Sequence, residues 1–239
     1  MNHATSLRPL AGLLLAGIAA WSGLLPAAAA GTGPRGALSV IEVDGVGLGP
    51  IPDAPGPACG PPGALLDVTF PVPPFVGRLV DIQVTLGFQP AHVWAGDVTA
   101  QLINPAGTIH TLFGRVAATT ATACGDGSNL VGPYLFDDDA TPASGGFWQA
   151  AAAAGNQAPI QLGAYRTTNS GGAGAVNPAP PTSLRATFAG ALGTASTTTW
   201  TLRLRDHGLG DTGTLAQATL LLYVDETLFR DGFEAAPPP

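Results

Sequence analysis

The chain has 239 residues, with nine Arg, no Lys and sixteen Asp or Glu, for a formal net charge of −7. A phosphate backbone is bound through basic surface, so this balance argues against nucleic acid as a partner and leaves acidic loops as places for a divalent cation. With 33 Gly and 23 Pro set among short apolar runs, the composition fits many strands joined by many turns rather than a helical protein.

Met1 to Arg8 carry one arginine and no acid, Leu10 to Leu25 are mostly apolar, and Pro26 to Gly31 are small residues. This order is that of a secretory signal peptide over residues 1–30, cleaved after Ala30. The apolar run falls short of the ~20 residues a membrane span needs. The mature protein is therefore expected to be secreted and extracellular, passing through a periplasm, with no membrane insertion once the signal is removed. Residues 31–62 read as a Gly/Pro-rich N-terminal segment with one strand, Leu38 to Val43. Residues 63–226 read as the main domain, and residues 227–239 as a short C-terminal tail.

In the main domain, Leu66 to Phe70 is a short strand, and the prolines of Pro71-Val72-Pro73-Pro74 confine that stretch to an edge or a turn. Leu79 to Phe88 alternates clearly, with Val80, Ile82, Val84, Leu86 and Phe88 on one face and Asp81, Gln83 and Thr85 on the other. Asp97 to Ile103 and Ile109 to Phe113 form a hairpin across Asn104-Pro105-Ala106-Gly107, with His110 expected on the solvent side. Tyr134 to Phe136 is a strand stub. Thr141 to Pro181 is a long loop in which Ala150 to Ala154 make one helical turn. Leu184 to Phe188 is a strand. Trp200 to Arg205 points Trp200, Leu202 and Leu204 inward, and Leu215 to Val224 is the last strand. Eight or nine strands without a substantial helix predict an all-β protein, a jelly-roll β-sandwich.

Cys59 and Cys124 lie in the exported part, where a lone pair is expected to form a disulfide; two free thiols are the alternative. The run Asp137, Asp138 and Asp139 offers the carboxylate oxygens that calcium takes, and Asp97, Asp206 or Asp211 would join that shell if the turns met. The alternative is a solvated turn or a carboxylate capping loop amides. Asp211-Thr212-Gly213 has the letters of an aspartic-protease loop but no second copy, and His207 precedes rather than follows it. No catalytic residue is therefore assigned, and the chain is expected not to be an enzyme. Trp94, Trp148, Tyr134 and Tyr165 would serve either a sugar-stacking face or core packing.

Three stretches share a pattern in order. The first runs from His92 through Trp94, Gly96 and Asp97 to Pro105, Gly107 and Thr108. The second is Leu135-Phe136-Asp137-Asp138-Asp139-Ala140. The third runs from Leu184 through Phe188, Trp200 and Asp206 to Asp211, Gly213 and Leu215. Together they resemble the P domain, also called P/Homo B, that accompanies subtilisin-like serine endopeptidases. The resemblance spans roughly residues 66–224. It implies a jelly-roll of the galactose-binding-like type, with His92, Gly96, Asp97, Pro105, Gly107, Trp200, Asp206, Asp211 and Gly213 serving the fold. In that family the domain packs against the protease domain, supports its folding and can influence its calcium and pH dependence; this chain has no protease domain, so the resemblance implies a non-catalytic interaction or stabilising module associated with proteolysis, with a secreted subtilisin-like protease as the expected partner in trans. A carbohydrate-binding jelly-roll, with glycans as partners, is the alternative.

Overall fold

A computed structural model describes residues 38–56, 59–142 and 145–226 of the chain. The expected signal peptide, its expected cleavage point and the expected C-terminal tail lie outside the described residues. Ten strands form two sheets: β1 (Leu38–Asp44), β2 (Gly49–Pro50), β3 (Leu66–Val72), β4 (Arg78–Phe88), β5 (Val98–Ile103), β6 (Ile109–Gly114), β7 (Tyr134–Phe136), β8 (Gly163–Tyr165), β9 (Thr198–Asp206) and β10 (Thr214–Asp225). The larger sheet runs β1-β10-β4-β7-β8, with β2 also paired to β10. The smaller runs β3-β9-β5-β6. All the pairings between strands are antiparallel except β7 with β8. The protein is an all-β sandwich, with two short helices, α1 (Phe147–Ala154) and α2 (Leu184–Phe188).

Alternation places the core between the sheets. Ile82, Val84, Leu86 and Phe88 of β4 face Val98, Ala100 and Leu102 of β5 and Trp200, Leu202 and Leu204 of β9 in one buried cluster. Each large apolar side chain buried there contributes about 1.5–3 kcal/mol. The proline-bearing β3 is an edge strand, as Pro71 requires. The Asn104–Gly107 turn closes the β5–β6 hairpin, and Asn104 Oδ1 accepts from the Thr108 N–H at 2.8 Å.

Four sequence expectations are corrected. Val80 does not point inward. The register of β4 against β10 shifts there, with Tyr223 opposite Asp81 and Val224 opposite Leu79, so Leu79 takes the buried position. His110 is buried rather than solvent-facing, because β6 turns Ile109 out at 51 % exposure. The neighbouring Thr167 and Thr187 hydroxyls contact the His110 ring nitrogens at 2.8 and 2.7 Å. Leu184–Phe188 is helical, not extended. Leu184 and Phe188 are both buried at i and i+4, and the Ser183 side chain accepts from the Ala186 N–H. The helix in the long loop begins at Phe147 and runs two turns. Its Phe147 ring sits 4.9 Å from Phe113, 5.5 Å from Phe136, 5.4 Å from Tyr134 and 5.2 Å from Tyr165. These rings belong to β6, β7 and β8, so α1 ties the edge strands of both sheets together.

Candidate functional site

The segments carrying His92, Asp97 and Asp206–Gly213 are far apart in the chain and meet at one end of β5. His92 precedes a single 3-10 turn, Ala95–Asp97, that leads into β5. Asp206 ends β9, and Val98 pairs with it directly. His92 Nε2 lies 3.0 Å from Asp206 Oδ2, and both side chains are fully buried. Asp206 Oδ1 accepts from the Gly208 N–H at 2.8 Å. The His207 N–H donates to the Asp97 carbonyl at 2.8 Å. Two glycines allow this closeness. A Cβ on Gly208 would strike the Asp97 carboxylate, and one on Gly213 would strike the His92 backbone.

Asp97 is 1 % exposed, and its Oδ1 has no hydrogen-bond partner among the described residues; the same holds for His92 Nδ1. Burial, then the Asp206 and Asp211 carboxylates, push the Asp97 carboxyl up to about 7, against smaller opposing effects of His92 and Arg115. Burial raises Asp211 as well and lowers His207. His207 Nε2 contacts Thr99 Oγ1 at 3.2 Å, and its Nδ1 lies 3.1 Å from the Gly60 carbonyl.

The disulfide joins Cys59 to Cys124 across 65 residues and borders this cluster. Arg115 donates to the carbonyls of Cys59 and Ala123 at 2.9 and 2.7 Å. Trp94 Nε1 donates to the Cys124 carbonyl at 2.7 Å, which anchors the loop. Of the aromatics considered for a sugar face, Trp148, Tyr134 and Tyr165 are buried, and Trp94 is half-buried. The remaining signature residues lie elsewhere. Pro105 and Gly107 form the turn at the opposite end of β5, and the Trp200 ring meets Phe188 edge-on at 5.0 Å in the core.

The acidic run after β7 divides its work. Asp81, Asp137 and Asp139 bring carboxylate oxygens within 4.8 Å of one another, a group that could hold a metal ion. Asp137 accepts from Gln83 Nε2 at 3.0 Å. Arg185 bridges Asp81 and Asp139 at 3.1 and 2.9 Å, and its own pKa rises through these bonds. Asp138 turns away to the start of α2, where it accepts from the Ser183 hydroxyl and the Leu184 and Arg185 N–H groups. Asp97, Asp206 and Asp211 gather at the His92 cluster instead of completing the Asp137 shell. Sequence reasoning missed Asp81 and Arg185. The outward alternation of Asp81 was a usable signal, whereas Arg185 lay in a segment read as strand.

No helix among the described residues is long and apolar enough to cross a membrane. No family model matches this chain, and no curated protein matches it.

Proposed function

We propose that this protein is a secreted, non-catalytic P/Homo B-type module, a jelly-roll of galactose-binding-like topology, that binds and stabilises a secreted subtilisin-like protease in trans. The observation that carries the reading is the convergence of His92, Asp97, Asp206, Gly208 and Gly213. These residues come from separate stretches of the resemblance and lock together at one end of β5. A general base must reach the proton it removes, and His92 and Asp206 have no exposed surface from which to do so. Such a pair suits holding two loops in register. The burial of Trp148, Tyr134 and Tyr165 leaves the glycan alternative without an aromatic platform.

We assign calcium to Asp81, Asp137 and Asp139, because a hard cation prefers several oxygen ligands at one point. The ion would take over the charge balance that Arg185 supplies between Asp81 and Asp139. One set of measurements tests both statements. Immobilised residues 31–239 are exposed to the source organism's secreted proteins, once with calcium and once with EDTA, and the free protein is melted in both buffers. The expected outcome is retention of a subtilisin-like protease and a lower Tm in EDTA. Retention of no protein overturns the partner reading. An unchanged melt removes calcium while leaving the partner reading to the capture result.

A further inference from the structure

The Cys59–Cys124 disulfide stands against a carboxyl that the His92 cluster leaves with an unbonded oxygen. Both sulfurs and one carboxylate oxygen of Asp97 lie within 4.8 Å of one another. Asp97 is 1 % exposed, and its Oδ1 has no hydrogen-bond partner among the described residues. Sulfurs joined to each other are not the thiolates that a metal takes, so this closeness bears on the chemistry of the bond rather than on an ion. The two ends of the bond differ. Cys59 is buried at 7 % exposure, whereas Cys124 is exposed.

A disulfide is opened by a thiolate that attacks one sulfur and expels the other. Attack at the exposed Cys124 makes the buried Cys59 sulfur the leaving group. A thiolate formed there is a buried charge, which is costly unless it is paired or takes a proton. Arg115 Nη2 is already held by the carbonyls of Cys59 and Ala123. Asp97 is faced by Asp206, His207 and Asp211 at and after the end of β9, by His92, and by Arg115 after β6; Asp126 turns its carboxylate to the Ser128 N–H. Burial, then Asp206 and Asp211, outweigh His92 and Arg115 and push the Asp97 carboxyl up to about 7, so it carries a proton in weakly acid solution. Proton paths at rest are commonly longer than the hydrogen bond they become in the reaction.

We propose that Cys59–Cys124 is a thiol-exchange site, at which a small thiol bonds to Cys124 and Asp97 gives its proton to the departing Cys59 sulfur. The incoming thiolate forms an S–S bond to Cys124 Sγ as the Cys59–Cys124 bond breaks. The electron pair of the broken bond goes to Cys59 Sγ, which takes the proton and leaves Asp97 as a carboxylate. A second thiolate attacks the sulfur of the adduct, so the two small thiols leave as their disulfide, oxidised by two electrons. Cys124 leaves as a thiolate and takes a proton from water. Once the bond is open, the segment after Cys59 is held to the His92 cluster by contacts such as Gly60 carbonyl to His207 Nδ1 and Gly63 N–H to Asp206 carbonyl, at 3.1 and 2.7 Å. The inference uses neither the protease partner nor calcium.

The probe is glutathione, added to the full mature chain at a series of pH values, with loss of the disulfide followed by mass spectrometry after quenching in acid. The readout is the rate constant per glutathione thiolate, which removes the titration of the reagent. For the native protein it is expected to fall about tenfold between about pH 6 and 8, as a donor titrating near 7 loses its proton. Asp97→Asn should be slower by about tenfold or more at about pH 6, and its constant should be level across the range. Reduction through unfolding alone has the other sign. Asp97 makes the native fold less stable as pH rises, which gives a level or rising constant. A level or rising native constant therefore overturns the proposal, as does an Asp97→Asn constant equal to the native one at about pH 6. The quenched adduct, alkylated with iodoacetamide and mapped by digestion, should carry glutathione on Cys124 and the alkyl group on Cys59. Glutathione on Cys59 instead overturns the direction of attack and with it the proton transfer. Should Asp97→Asn fail to fold, the native pH profile decides alone.

Discussion

Asp97 shows what burial does to one carboxyl. Its ordinary pKa is 3.8, and in the fold it lies at about 7. Between these values the folded protein keeps a proton that the unfolded chain has released, so this residue makes stability fall as pH rises, by up to about 1.4 kcal/mol per pH unit. His207 and His110 act in the opposite sense. Burial lowers both, so the folded state resists their protonation and loses stability as pH drops below the ordinary imidazole value of 6.5. The native pH profile therefore sums opposed slopes, and a variant isolates one of them. Asp97→Asn should gain Tm relative to the native protein progressively between about pH 4 and 7, with the gain levelling off above. A difference that stays constant with pH would contradict the account. At this scale the sequence did not reveal environment. His92, Asp97 and Asp206 were expected through the resemblance to serve the fold, yet no local pattern announced that Asp97 would sit 1 % exposed beside two other carboxylates.

Among the elements, α2 illustrates how little a five-residue run reveals. Leu184, Ala186 and Phe188 alternate as a strand would, and Leu184 and Phe188 also fall four apart on one helical face. The Ser183 cap and the Asp138 carboxylate, 45 residues upstream, settle the matter by satisfying the first N–H groups. Asp138→Ala removes acceptors from two helix amides and the Ser183 hydroxyl, and should lower stability by about 1–2 kcal/mol. Urea denaturation would measure this as a lower midpoint with an unchanged slope. Asp139→Ala, whose carboxylate is 72 % exposed, should cost less than about 1 kcal/mol. Equal losses in the two variants would argue against the cap. The long strands were legible because their apolar period repeats over many residues, as in β4, β9 and β10. The bulge at Val80 was not, because the register shift comes from pairing with β10 and leaves no mark in β4 itself.

For the whole molecule, the two-sheet sandwich was readable from strand number and the absence of long helices. The path by which α1 closes it was not, because Phe147 and Trp148 stand in a stretch dominated by Ala and Gly, and the packing partners of Phe147 come from β6, β7 and β8. The disulfide was legible from the count, a lone pair of cysteines. In the chain-entropy picture, closing its 65-residue loop contributes about 4 kcal/mol.

The pairing of β1 with β10 runs from Leu38 opposite Asp225 to Asp44 opposite Thr219. The first and last described strands therefore enter and leave the fold side by side. A short flexible linker from Asp225 to Leu38, with a new opening between Pro105 and Ala106 in the exposed β5–β6 turn, would reorder the chain without breaking a core strand. Such a circular permutant should keep the native far-UV circular dichroism and still form the Cys59–Cys124 bond. Opening the β5–β6 hairpin at its tip leaves β5 held by β9 while β6, the outermost strand, is joined to the sheet through β5 alone, so the same rearrangement makes β6 the more readily peeled of the two.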